Sequence, residues 1–115
     1  MFNIAPNGVI TLNRGDNFEY IFKINEGTLL EPVYYTLTAA DKLYFGIMEP
    51  NQQFENAIVK KVFTSYNNTE DGNVKITLNH LDTAYLRPGL YYYEIKLVKD
   101  DTTVNTLITQ KFIIV

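Results

Sequence analysis

The chain has 115 residues and a net charge of −3 at neutral pH, which is the size of one domain spanning residues 1–115. Hydrophobic residues make up 46% of it, enough for a folded core. The absence of cysteine excludes disulfides, cysteine nucleophiles and Cys-ligated metal centres, and His80 as the single histidine excludes multi-histidine metal sites. We therefore expect one domain with no cofactor.

Net charge and the length of apolar runs indicate whether a chain of this kind binds nucleic acid or a membrane. Nucleic-acid binding usually needs a basic stripe, whereas this chain is acidic and its only adjacent basic pair is Lys60-Lys61. No apolar run approaches the roughly 18 residues of a membrane span, and Met1–Pro6 lacks the features of a signal peptide. We expect synthesis in the cytoplasm and no binding to nucleic acid or membrane.

Apolar and polar side chains alternate along most of the chain, which is typical of half-buried antiparallel strands. Nine Tyr and seven Phe also favour β-sheet. Turn residues separate seven such segments, near Val9–Leu12, Phe18–Ile24, Lys42–Met48, Ile58–Tyr66, Asn73–Leu78, Leu90–Val98 and Val104–Val115. The pattern predicts an all-β fold, an immunoglobulin-like antiparallel β-sandwich of about seven strands with Greek-key connections, to which Tyr34-Tyr35 adds a short edge strand.

A short helical turn and a tight turn are predicted before the penultimate strand. The helical turn falls within Leu81–Leu86, with Asn79 or Asp82 as its cap. The Leu-x-Pro-Gly-x-Tyr sequence that follows is the form of a tyrosine corner, in which a tyrosine hydroxyl bonds an upstream backbone group where the chain crosses between sheets. Its residues are Leu86, Pro88, Gly89 and Tyr91. The alternative is a plain type II turn.

The residues that could carry catalysis are few and badly placed. Ser65 and His80 are the only serine and histidine, and neither belongs to a recognisable nucleophile motif. The carboxylate pairs Glu70-Asp71 and Asp100-Asp101 fall at predicted hairpin tips, where solvent would surround them. We therefore expect no enzymatic activity.

Exposed aromatic side chains are the candidate contact residues. In an alternating strand Tyr91 and Tyr93 point to one face and Tyr92 to the other, so only Tyr92 of this triplet is available outside the core. The long loops Gly27–Asp41 and Glu49–Ala57 are the expected binding surfaces. The candidate interaction residues are Tyr34, Tyr35, Phe54 and Tyr92. The alternative for these rings is packing in the core and at sheet edges.

Several blocks of the sequence resemble the small β-sandwich domains of tailed-phage and prophage structural proteins, in particular the N-terminal domain of baseplate upper proteins. The blocks occur in the same order along nearly the whole chain: Asn13–Phe18, Leu37-Thr38, Asp41–Phe45, Asp82–Ile95, Asn105–Ile108 and Phe112–Val115. Such relatives often carry glycine at the position of Gln110 and often continue into a coiled coil or a receptor-binding domain. Because this chain ends at Val115, we expect a stand-alone module.

The resemblance implies a non-enzymatic virion structural protein, either a baseplate or tail adaptor or a head decoration module. It would be made in the cytoplasm of the bacterial host and act through contacts with other virion structural proteins, as a homo-oligomer or within a symmetric assembly. The alternative is a carbohydrate- or receptor-binding β-sandwich, for which a glycan would be the ligand.

Overall fold

Nine β-strands and two short helical turns form the part of the chain that the computed structural model describes, residues 3–5, 8–25, 27–28, 30–35, 37–38, 40–63, 74–99 and 103–115. The strands are β1 (Asn3–Ala5), β2 (Ile10–Leu12), β3 (Phe18–Asn25), β4 (Tyr34–Tyr35), β5 (Asp41–Met48), β6 (Val59–Phe63), β7 (Val74–Leu78), β8 (Gly89–Lys99) and β9 (Thr103–Ile114). A 3-10 turn covers Phe54–Asn56, and the helix α1 covers His80–Thr83.

The strands form two sheets that face each other. In the four-stranded sheet, β3 pairs antiparallel with β1, β4 and β7. The five-stranded sheet has the order β2-β9-β8-β5-β6. Since β3 and β7 lie in one sheet while β5, β6 and β8 lie in the other, the chain repeatedly crosses between sheets. This arrangement confirms the predicted all-β sandwich, with a helical turn before the penultimate strand.

One edge pairing departs from the antiparallel arrangement that the sequence predicts. β2 runs parallel to β9, with Ile10 opposite Phe112 and Leu12 opposite Ile114. β1 pairs with β3 in the four-stranded sheet, whereas β2 belongs to the five-stranded sheet. The N-terminal segment therefore changes sheet and then runs alongside the last strand in the same direction. The short strand β1 was not among the predicted strands.

Tyr93 on β8 is the centre of the core between the sheets. Its buried ring stacks on Phe45 at a centroid distance of 6.0 Å and meets Phe112 edge-on at 6.2 Å, within the five-stranded sheet. It also meets Tyr20 of the facing sheet edge-on at 6.1 Å. The Tyr93 hydroxyl donates a 2.7 Å hydrogen bond to the Gly8 carbonyl. Burial raises the pKa of both Tyr20 and Tyr93, so both hydroxyls remain protonated.

Both predicted caps stabilise the start of α1. The Asn79 side chain accepts hydrogen bonds from the Leu81 and Asp82 backbone N–H groups, and the Asp82 carboxylate accepts one of 2.8 Å from the Asn79 N–H. The same carboxylate forms an ion pair of 2.8 Å with Lys61 on β6. These contacts fix α1 against the edge of the five-stranded sheet.

The chain crosses from β7 to β8 through the turn in which the sequence predicts a tyrosine corner. The Tyr91 hydroxyl donates a 2.8 Å hydrogen bond to the Arg87 carbonyl, four residues upstream. Leu86 and Tyr91 are buried, whereas Pro88 is exposed. Gly89 has a φ of +154°, a conformation that side-chain-bearing residues rarely adopt. The hydroxyl contact is the one that a tyrosine corner requires.

Replacing Tyr91 with phenylalanine should lower the free energy of unfolding by about 1 kcal/mol, because the Arg87 carbonyl loses its partner. The matched control is Tyr92→Phe, since the half-buried Tyr92 has no hydroxyl partner among the described residues and should behave as wild type. Thermal and denaturant unfolding measure both. Equal stability of the Tyr91→Phe variant and the wild type would show that the corner contributes nothing to stability.

Candidate functional site

The four predicted contact residues lie in two separate places. Tyr34 and Tyr35 form β4 at an edge of the four-stranded sheet, whereas Tyr92 and Phe54 belong to the outer side of the five-stranded sheet. The sandwich core separates these two sheets. The structure therefore does not bring the four aromatic residues together into one binding surface.

Tyr35 contributes to the fold more than to the surface. Its ring packs against the core, and its hydroxyl donates a hydrogen bond to the buried Asp41 carboxylate. The sequence predicts Tyr35 as an exposed contact residue, whereas its ring is half-buried, because a partner for its hydroxyl lies six residues further along the chain. The Lys99 ammonium group lies 4.8 Å from the centre of the ring.

The Asp41 carboxylate is the most heavily bonded ionisable group in this region. Burial opposes its ionisation, but hydrogen bonds from the Tyr35 hydroxyl and from the Thr38 N–H and hydroxyl, together with nearby Lys99, outweigh that cost. The pKa of Asp41 is therefore lowered from its ordinary value. This ionised side chain therefore joins the segment before β5 to β4.

Tyr34 is the predicted residue with the most accessible ring. Its side chain is 53% exposed, and the Lys23 ammonium group lies 4.8 Å from the ring centre. The ring stands on the outer side of the four-stranded sheet, beside the polar face of β3. A single half-covered ring of this kind can contribute to a contact but does not form a platform.

Phe54 folds onto the outer side of the five-stranded sheet at Gly46. A Cβ atom at Gly46 would lie 2.6 Å from the Phe54 ring, so only glycine allows this approach. The Lys96 ammonium group lies 4.8 Å from the ring centre and that of Lys60 lies 5.7 Å from it. Phe54 therefore holds the loop 49–57 against the sheet and is only partly available to a partner.

The sequence reasoning missed an exposed apolar surface beside a recess. Ile58, Leu81 and Tyr85, which we call the end patch, surround a recess of about 360 Å³ at the end of the sandwich where α1 lies. Tyr85 is 91% exposed and Leu81 is 61% exposed. Val59 and Leu86 line the recess together with the polar residues Lys60 and Asp82.

A sequence signal for the end patch exists. Leu81 and Tyr85 are four residues apart, so they lie on the same side of a helical turn. The inward-facing residue of that turn is Thr83, which is fully buried and whose hydroxyl accepts a 3.2 Å hydrogen bond from the Gly15 N–H. Once Thr83 is placed inside, Leu81 and Tyr85 must face solvent.

The residues that the sequence analysis considered for catalysis fall into two groups, those outside the described ranges and the described residue His80. Ser65, Glu70-Asp71 and Asp100-Asp101 lie outside the described residues. His80 is exposed at the start of α1, where its backbone N–H donates a 2.8 Å hydrogen bond to the Asn17 side chain. Across the described ranges, no group of three or more His, Cys, Asp or Glu side chains is placed to hold a metal ion. No helix in these ranges is long and apolar enough to cross a membrane.

A scan against protein-family models and a search of curated proteins both give no match to this chain.

The close contact between the Phe54 ring and Gly46 predicts that substitutions at these two positions are energetically coupled. Gly46→Ala should lower the free energy of unfolding by about 1–2 kcal/mol, because the ring must move away from the new methyl group. In a Phe54→Ala background the same substitution should cost less, because only the Ala57 Cβ, 3.2 Å from the new methyl group, then remains close, and a double-mutant cycle measures the difference. Gly8→Ala is the control, since a Cβ there meets nothing within 4 Å. Equal costs in both backgrounds would contradict the contact.

The lowered pKa of Asp41 predicts acid-sensitive stability. A carboxylate with a lowered folded-state pKa stabilises the fold fully above its unfolded pKa of about 3.9, and this contribution is lost as the pH falls through the folded-state pKa. Asp41→Asn should therefore lower the free energy of unfolding by about 1.5–3 kcal/mol at pH 7 and by less below about pH 4.

Denaturant unfolding at several pH values measures this difference. Asp16→Asn is the control, because it removes an exposed turn carboxylate that lacks the contacts of Asp41. A loss in the Asp41→Asn variant that stays constant from pH 7 to about pH 3 would show that the charge of Asp41 does not stabilise the fold.

Proposed function

We propose that this chain is a non-enzymatic structural module of a tailed-phage virion, a baseplate or tail adaptor or a head decoration protein. It binds neighbouring virion proteins through its surface and occurs as repeated copies in a symmetric assembly. Two observations support the proposal: the sequence blocks that resemble phage β-sandwich domains, and the exposed apolar end patch.

The end patch is the observation that carries the proposal. Exposed apolar side chains are ordinary when scattered singly, but a group of them beside a recess is typical of protein interfaces. Tyrosine, the type of the exposed Tyr85, is one of the residue types enriched at such contacts. A patch of three side chains gives a weak single contact, and many copies in one particle add such contacts together.

The alternative, a carbohydrate- or receptor-binding module, would use the Tyr85 ring and the adjacent recess with its polar residues Lys60 and Asp82. Sugar binding by stacking gains from several rings on one surface. The exposed tyrosines Tyr34 and Tyr85 belong to different elements, β4 and the turn after α1. The arrangement of the described residues therefore favours a protein partner, and a glycan-binding screen distinguishes the two functions.

The direct experiment is to purify particles from the strain that makes the protein and to identify their proteins by mass spectrometry. We expect this chain in the particles, and a Leu81→Ser/Tyr85→Ser variant should be incorporated at least about tenfold less. Leu30→Ser/Tyr34→Ser makes the same chemical changes at exposed positions away from the end patch and should incorporate normally. Thermal unfolding checks that both variants fold.

Two results would contradict this proposal. Absence of the wild-type chain from purified particles would remove the virion role. Normal incorporation of the Leu81→Ser/Tyr85→Ser variant, with loss in the Leu30→Ser/Tyr34→Ser variant, would keep the virion role and move the contact to the β4 region.

A further inference from the structure

One edge of β9 is largely uncovered by other strands. β8 pairs with β9 along its whole length, whereas β2 covers the opposite edge only at Phe112–Ile114. Among the described residues, no strand pairs with that opposite edge along Thr103–Thr109, which we call the β9 edge. At a rise of about 3.3 Å per residue it is roughly 20 Å long. The backbone groups of such an edge can pair with a further strand.

The direction of the backbone groups near the end of β9 follows from its contacts with β2. The Val115 N–H donates a 3.0 Å hydrogen bond to the Leu12 carbonyl, so the backbone groups of Val115 point away from β8. Every second residue of a strand directs its backbone groups to the same side, so those of Lys111 and Thr109 also point away from β8. The Lys111 N–H accordingly donates a 3.0 Å hydrogen bond to the Gln110 side chain.

A β-bulge divides the β9 edge into two parts. The register between β8 and β9 shifts by one residue at Leu107, which is an extra residue on β9. Beyond this bulge the alternation is reversed, so the backbone groups of Thr106 and Val104 point away from β8, as those of Thr109 do. All three residues are exposed, and no hydrogen bond to a described residue engages their backbone N–H or C=O groups.

The other outer edges in the described part of the sandwich are shorter or already covered. β1 and β2 have three residues each, and β4 has two. At the opposite side of the five-stranded sheet, Lys61 of β6 donates to the Thr77 carbonyl of β7 at 3.4 Å and pairs with Asp82, so its side chain bridges the two sheets. A charged side chain placed in this way opposes pairing with a further strand. The β9 edge is therefore the described edge best suited to take one.

The composition of the β9 edge suits pairing with a second copy of itself. Five of its seven residues are β-branched, which favours a strand, and none is charged. Although the chain has a net charge of −3, two copies can therefore approach along this edge without like charges facing each other. Because the edge carries both donors and acceptors, the same residues can supply both sides of the contact.

We propose that the β9 edge pairs with the β9 edge of a second copy of this chain, antiparallel around a two-fold axis. The two five-stranded sheets then form one continuous sheet. Val104 of one copy lies opposite Thr109 of the other, because the backbone groups of both residues point out from the edge, and the symmetry repeats this pair. The contact is small compared with a standard interface, so the dimer is weak. The inference goes beyond the proposed function, because it assigns self-association to a surface away from the end patch.

The first test is the self-association of the purified full chain, measured by sedimentation equilibrium up to about 1 mM. Thr109→Pro removes an N–H that faces away from β8, where proline is tolerated in a strand, and should lower the association constant at least about tenfold. Thr11→Pro is the matched control. It makes the same change on the exposed edge of β2 and should associate as the wild type does. Thermal unfolding checks that both variants fold.

A charge exchange tests the register of the pairing. Val104 and Thr109 are exposed, so Val104→Lys/Thr109→Lys places lysines opposite lysines in the dimer. This variant should associate at least about tenfold more weakly than the wild type, and so should Val104→Glu/Thr109→Glu. An equimolar mixture of the two variants should recover the association, because opposite charges then face each other.

Four results would overturn the inference. Three of them are a wild-type chain that stays monomeric at about 1 mM, equal weakening by Thr109→Pro and Thr11→Pro, and a mixture of the charge variants that associates no better than either alone. The fourth is loss of the dimer in the Leu81→Ser/Tyr85→Ser variant, which would assign self-association to the end patch. We expect this variant to dimerise normally, so its incorporation into particles tests the proposed function separately.

Discussion

The burial of Tyr93 between the two sheets is the constraint on which the rest of the structure depends. β8 pairs with both β5 and β9. The face of the sheet on which the Tyr93 side chain lies therefore determines which residues of β5, β8 and β9 face inward. Its ring contacts Phe45 and Phe112 in its own sheet and Tyr20 in the other, which holds the sheets in one relative position. Because Tyr93 points inward, Tyr92 and Lys96 must point outward, and the composition of the outer face follows from the packing of the core.

Much of the fold is predictable from local patterns, because alternation, caps and tight turns act over a few residues. The seven predicted strands, the capping residues Asn79 and Asp82, and the hydroxyl contact of Tyr91 all have this local origin. The parallel pairing of β2 with β9 does not. Its direction depends on where the two ends of the chain meet in space, and nothing within Ile10–Leu12 encodes the position of Phe112.

The contact residues were harder to predict, because the exposure of a side chain depends on which partners the fold places against it. Phe54 is covered through Gly46, eight residues earlier, and Tyr35 is engaged by the buried carboxylate of Asp41. Tyr85 is exposed because Thr83 occupies the inward position of a helix of only four residues. Aromatic residues at the ends of a sandwich are therefore better judged from the caps and turns that hold them than from alternation, which ranks only the positions within strands.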